Sequence, residues 1–404
     1  MITFFKSLSK NMKITLAIIA VLTVLFTVFA LQILLMGLGY TDMDNNFAFG
    51  AWIIGDLVLV ALGGGAFSTG FVLYIFRVEK LRPIINSTVL IGFMCYLFTF
   101  VFLLFDLGQP LRAWFGFAYP NWGKGVYPVS MLTEVFFCLS IYFMILLVEL
   151  IPTILENRIL IQNRYVKTTA HIMHKFMWIM AAAGTFLSFF HQGSLGGGMW
   201  GVLFGKAVWF RPHFFFMAVV AAIAGGMSFM TMVPYISGKL MKKELVPMET
   251  FRILTRMSGF MFIAYAVFRI YDLYSMAAYY IPMSGRSFMD LFGGWYGIWM
   301  IVFEMLLLAG PIVLLNFSRF RNQEKLMVTG ASMGIGATVM SKFTVLLHGF
   351  SAPNFPWKGF TSYFPTVQEW FITFGVLAIM ILIYMVFIKW FPLFPHIEEG
   401  GDHH

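Results

Sequence analysis

The sequence predicts an all-α polytopic membrane protein, with about ten transmembrane helices arranged as two four-helix bundles and two flanking helices. Three observations carry this expectation. Of the 404 residues, 60% are hydrophobic and 11% charged, with a mean hydropathy of +0.83; a soluble domain carries about twice that charge. Apolar stretches of twenty or so residues recur from end to end, each long enough to cross the bilayer core at ~1.5 Å per residue. The ~10-residue alternating strands of a β-barrel do not occur.

The spans fall at about 14–38, 51–76, 87–106, 128–151, 168–191, 212–237, 250–273, 295–317, 325–348 and 367–391. The first follows Lys6, Lys10 and Lys13, as a secretory leader would. It is longer than the ~7–15-residue apolar core of a leader and lacks a small-x-small cleavage site, so it is expected to be retained. Residues 1–404 then form one integral membrane domain: 14–38 and 367–391 flank it, 51–191 make the first bundle and 212–348 the second.

The net charge of +9 is a topology signal and not a nucleic-acid footprint. Of 27 Lys and Arg, 19 fall on one side of the predicted spans and 6 on the other, while Arg269 and Lys342 lie within them. The positive-inside rule puts both termini in the cytoplasm of a multi-pass inner-membrane protein. The two cysteines, Cys95 and Cys138, lie inside apolar spans with no CxxC pair. The chain is therefore expected to supply no iron–sulfur cluster and no metal site, and any such centre would belong to a partner.

Ionisable side chains at membrane depth cost several kcal/mol, roughly 2.5–3.5 on lenient scales, and so mark function. Asp56 lies about a turn inside helix 2, Asp106 ends helix 3, Glu134 lies under two turns into helix 4, and His191 ends helix 5. All four fall in the outer third of the membrane. Each has a plainer reading: Asp106 as a cap of the following turn, His191 as an interfacial histidine. Asp56 and Glu134 are harder to explain structurally, because a buried carboxylate needs a partner or a proton. Glycines in "GGGAFSTG" and "GSLGGG" suit close helix approach as well as a flat ligand.

The second half echoes the first. "FLLFDLGQ" pairs Asp106 with Asp272 in "VFRIYDLYS", Glu134 pairs with Glu304, and His191 pairs with His348, at offsets of 166, 170 and 157. Arg269 and Lys342 join Glu304, so Arg269, Asp272, Glu304, Lys342 and His348 form a candidate proton path. The hydroxyls of helix 9, Thr329, Ser332, Thr338 and Ser341, extend it or serve as helix-contact hydroxyls.

Two segments carry a family resemblance. "FDLGQPLRAW" resembles the "DLGRPxR" segment of the NrfD/polysulfide-reductase membrane subunits, with Gln109 where that family carries Arg, and "FLSFFHQGSLGG" resembles the "HQ-x-SLG" segment of the hydrogenase-2 membrane-subunit branch. The resemblance covers about residues 40–390. It implies a quinone-interacting subunit of a respiratory redox complex with menaquinone or menaquinol as substrate and no haem or iron–sulfur centre of its own. It implies an outer-face, ferredoxin-like iron–sulfur subunit as partner, extended by a multihaem cytochrome c and further membrane or cytoplasmic redox subunits. By motif it assigns Asp106, Arg112, His191, Gln192 and Ser194 to the quinone site. The depth argument adds Asp56 and Glu134, and Trp200 is one of the aromatics expected to pack the ring.

A quinol gives up two protons with its electrons, so its site needs acceptors within hydrogen-bond reach. His191 with Asp56 or Glu134 supplies them, and these three are the candidate catalytic residues. Two rivals stay open. A b-type cytochrome needs facing histidines, for which His191, His213 and His348 are available, and a secondary transporter also fits parallel repeats with buried charge.

Overall fold

The computed structural model describes residues 10–117, 131–157, 159–198, 206, 208–292, 296–353 and 357–394. Its long helices are α1 (Lys10–Met36), α2 (Ala51–Tyr74), α3 (Ile85–Asp106), α4 (Met131–Leu155), α5 (Arg164–Gly193), α6 (Phe214–Met241), α7 (Met248–Ser275), α8 (Gly297–Leu314), α9 (Glu324–Phe343) and α10 (Val367–Trp390). Among the described residues nine are long and apolar enough to cross a membrane, and Trp299–Leu314 within α8 is a shorter apolar helix. Every predicted span corresponds to one of these helices, displaced by a few residues at the ends. Trp200 lies outside the described residues.

Helices α2 to α5 pack in a ring, α2 closing on α5, and α6 to α9 pack in a second ring, α6 closing on α9. The rings meet where α2 crosses α6. There Gly65 lies on Gly226 so closely that a Cβ on either residue would overlap the other's backbone, the small-residue contact by which membrane helices approach. Helix α2 is apolar all round and buried along nearly its whole length, as a central helix must be. Helices α1 and α10 pair at the flank, with Phe29 stacked on Phe371 at 5.6 Å.

Local chemistry sets the helix ends. Asn163 caps α5 by accepting from the Tyr165 amide at 2.9 Å, and Thr366 with Glu369 forms a capping box on α10. Glu369 also accepts from the Ala51 amide at 3.4 Å and from the Tyr363 hydroxyl, tying the start of α10 to the start of α2.

Three helices leave regular α geometry at one end. π-turns span Ser194–Gly198 after α5, Met276–Tyr280 after α7 and Thr344–His348 after α9. Such turns carry an extra residue and recur at functional sites. They also correct the predicted register of the repeat. The turn after α5 opens at Ser194 and the turn after α9 opens at Thr344, so His191, three residues before its turn, corresponds to Ser341. His348 closes its turn and corresponds to Gly198. The pairing of His191 with His348 fails because both histidines lie near a helix end, on opposite sides of the inserted turn.

Candidate functional site

Contacts between helix starts and helix ends place the candidate residues on one face of the bundle. Trp52 at the start of α2 packs on Phe105 at the end of α3, with ring centroids 5.6 Å apart. Ser194, just past α5, donates to Glu134 near the start of α4 at 3.1 Å. His213, just before α6, lies 2.8 Å from Asp272 near the end of α7. Asp56, Glu134 and His191 therefore lie towards helix ends that meet on one face of the bundle.

The first ring buries polar groups for which the described protein supplies no partner. Oε2 of Glu134, both ring nitrogens of His191, Oδ1 of Asp106, the Tyr142 and Thr133 hydroxyls and the Trp52 indole N–H are all in this condition, and buried Asp56 has only the Thr99 hydroxyl for company. Asp56 and His191 are each 1% exposed. Each such group costs about 1–3 kcal/mol when left unpaired, more where no water reaches it. These groups lie on α2, α3, α4 and α5, in the half of the ring nearer that face.

Their neighbours are specific. The His191 ring packs on Tyr142 with centroids 5.2 Å apart, and Tyr142 packs on Tyr96 at 4.5 Å. Tyr96 reaches the Ser188 hydroxyl at 3.2 Å. Asp56 lies beside Thr99 and within electrostatic reach of Asp106 and Tyr142. Glu134 Oε1 accepts from Ser194 and, at 3.2 Å, from the Cys138 thiol one turn along α4. Gln192 has a structural duty: its amide donates to the Val60 carbonyl of α2 at 2.5 Å. Arg112 is exposed on the turn after α3, beside exposed Leu111 and Trp114, and is not part of the buried set.

In the second ring the acids are paired, although Nε of Arg211 and of Arg269 find no partner among the described residues. Arg269 donates to Asp272 at 2.6 Å and to Glu304 at 2.9 Å, and Arg211 donates to Asp272 at 2.6 Å. Tyr265 and Thr344 donate to Glu304 at 2.7 and 3.1 Å. Two guanidiniums thus face two carboxylates with their oxygens satisfied, the condition under which buried ions are tolerated. Lys342 is buried and lies against Gly196 of the first π-turn. Gly196, Arg211, Glu304, Lys342 and Thr344 help to line a cavity of about 20 Å³, room for one water. The helix 9 hydroxyls turn inward on their own helix: Thr329, Thr338 and Ser341 each donate to a carbonyl three or four residues back.

Sequence reasoning missed Arg211, Tyr265 and Thr344 in this network, and Trp52, Thr99, Thr133 and Tyr142 in the first ring, and it weighed His213 only as a haem ligand. Arg211 precedes a predicted span, where it reads as a loop residue. The others are uncharged and do not stand out in apolar runs.

Residues 39–354 match the family model described as polysulphide reductase, NrfD. Over 379 residues, 92% of this chain and 89% of the relative, the sequence is 37% identical to the menaquinone reductase integral membrane subunit of Nitratidesulfovibrio vulgaris. It is 23% identical to the probable Ni/Fe-hydrogenase 2 b-type cytochrome subunit of Escherichia coli, covering 92% of this chain and 89% of that one. It is also 23% identical to a selenate reductase subunit of Mesobacillus selenatarsenatis, covering 91% of each.

Proposed function

The chain belongs to the NrfD family of membrane proteins, and from that premise we propose that it is the quinone-interacting membrane subunit of a respiratory redox complex. It exchanges electrons between menaquinone or menaquinol and an iron–sulfur partner subunit. The quinone headgroup binds in the first ring, between His191 on α5 and the carboxylates Asp56 and Glu134. One observation carries this reading: buried acceptors from α2, α4 and α5 converge near one face, with His191 and one Glu134 oxygen lacking any partner among the described residues and Asp56 beside only the Thr99 hydroxyl.

A quinol hydroxyl supplies what those acceptors lack. The His191 imidazole accepts one hydroxyl proton, and Asp56 or Glu134 accepts the other. Tyr142 offers an aromatic wall and an unpaired hydroxyl beside His191. Electrons leave or enter through a partner on the nearby face, where exposed Leu111 and Trp114 offer an apolar landing. The excess of Lys and Arg on the opposite loops makes the site face the outer face of a cytoplasmic membrane. In the second ring, Arg269, Asp272, Glu304, Lys342 and His348 form a path for protons.

The relatives' names support a redox complex: two speak of reductases and one of a hydrogenase. The E. coli relative is named a b-type cytochrome subunit. Haem in this chain would need two facing imidazoles, but His213 is bonded to Asp272 and the His191 ring lies against Tyr142. The experiment is quinone turnover by the purified intact complex. His191→Ala and Asp56→Asn are each expected to lower it by tenfold or more; wild-type turnover in both contradicts the reading.

A further inference from the structure

No motif in the sequence announces a metal site, yet one turn of α4 and the end of α5 assemble the donor set of one. Glu134 and Cys138 are four residues apart on α4 and so share a face. His191 approaches them from α5. One carboxylate oxygen of Glu134, the Cys138 sulfur and one His191 ring nitrogen all lie within 4.8 Å of one another.

A cysteine near an acid is not by itself a site, but the histidine adds an independent observation. His191 is 1% exposed, and neither of its ring nitrogens has a protein partner. Glu134 keeps a free oxygen as well. We propose that Glu134, Cys138 and His191 bind a divalent ion of the zinc class, and that the ion excludes the quinone headgroup from His191.

The donor chemistry selects the class of ion. Thiolate, imidazole and carboxylate together suit Zn²⁺ and not Mg²⁺ or Ca²⁺, which prefer oxygen donors. With bonds of about 2.0–2.3 Å, tetrahedral donors stand roughly 3.6 Å apart. Glu134 Oε1 and the Cys138 sulfur already stand 3.2 Å apart, so it is the His191 nitrogen that needs to close, by at most about 1 Å. The fourth position is left for water. Binding displaces the Cys138 proton, so affinity rises with pH. Glu134 and Cys138 are only partly buried.

The metal site stands on its own donors, and only its competition with quinone rests on the function proposed above. The test uses Co²⁺ as a spectroscopic probe on the purified intact complex. A thiolate-to-cobalt charge-transfer band is expected, removed by one equivalent of Zn²⁺, lost in Cys138→Ala and kept in Cys95→Ala. No band in the wild type, or a band that survives Cys138→Ala, overturns the site. In a second arm, a hydroxyquinoline N-oxide quinol analogue is titrated with and without Zn²⁺. At least a tenfold weakening by Zn²⁺ supports competition. Unchanged analogue binding alongside the cobalt band overturns competition and leaves the metal site intact.

Discussion

Glu134 and Glu304 hold equivalent positions in the two halves of the chain: each accepts a 3.1 Å hydrogen bond from the hydroxyl that opens a π-turn, Ser194 in one half and Thr344 in the other. Their second partners differ. Glu304 receives Arg269 and Tyr265, whereas Oε2 of Glu134 receives nothing from the described residues. One architecture, used twice, is closed by an arginine in one copy and left open in the other.

That difference predicts unequal costs of mutation. Arg269→Met leaves Asp272 and Glu304 short of a cation in a fully buried network, a change that typically costs about 3–5 kcal/mol. Glu134→Gln keeps the shape of a side chain whose free oxygen makes no bond, and is expected to cost less than about 1 kcal/mol. Thermal unfolding of the two variants in detergent measures the contrast. Equal loss of stability contradicts the assigned pairing.

The contact between the rings depends on two glycines. Gly65→Val or Gly226→Val drives side-chain atoms into the opposing backbone, and either is expected to abolish accumulation of folded protein in the membrane. Gly70→Ala is the control: the nearest atom to its new Cβ, that of Ala181, is 3.7 Å away, so near-normal accumulation is expected. Quantitative immunoblots of membranes decide between these outcomes.

Lys206 gives a pH-dependent prediction outside the spans. Its ammonium donates to the Gly349 and Phe350 carbonyls at 2.8 and 3.0 Å and lies 4.8 Å from the Trp209 ring centroid. Burial lowers its pKa from 10.5 to about 8. Between those values the unfolded chain binds more protons than the folded one, so this group's contribution to stability rises with pH across that window. Labelling of Lys206 by an amine-reactive reagent, followed by mass spectrometry, is expected to reach half its maximum near pH 8. A midpoint above about pH 10, the ordinary lysine range, contradicts the burial effect.

The exposed turn after α3 should contact the partner. Leu111 is 92% and Trp114 59% exposed, and tryptophan is among the side chains on which interfaces concentrate their energy. Trp114→Ser is expected to reduce co-purification of the iron–sulfur partner several-fold while this chain still inserts. Undiminished co-purification moves the docking surface elsewhere.

The helices are legible in the sequence because twenty apolar residues in lipid admit little else. Asp56, Glu134 and His191 are legible because charge or titration inside such a run is conspicuous. What escapes a reading of the sequence are groups whose role depends on neighbours distant along the chain. Tyr142 is one of many aromatics until His191 lies on it, and Gln192 reads as a ligand until its amide is seen on Val60. The repeat is visible in its acids, but the π-turns shift the register past them, so His348 reads as the counterpart of His191 although Ser341 holds that place.

The central claim is that the open first ring, and not the closed second one, receives the quinone headgroup. Equilibrium binding of a hydroxyquinoline N-oxide quinol analogue to the purified intact complex tests it most directly. The account predicts that His191→Ala weakens binding at least tenfold, about 1.4 kcal/mol, while Lys342→Met leaves Kd unchanged. Unaltered Kd in His191→Ala, with a loss in Lys342→Met, would contradict it.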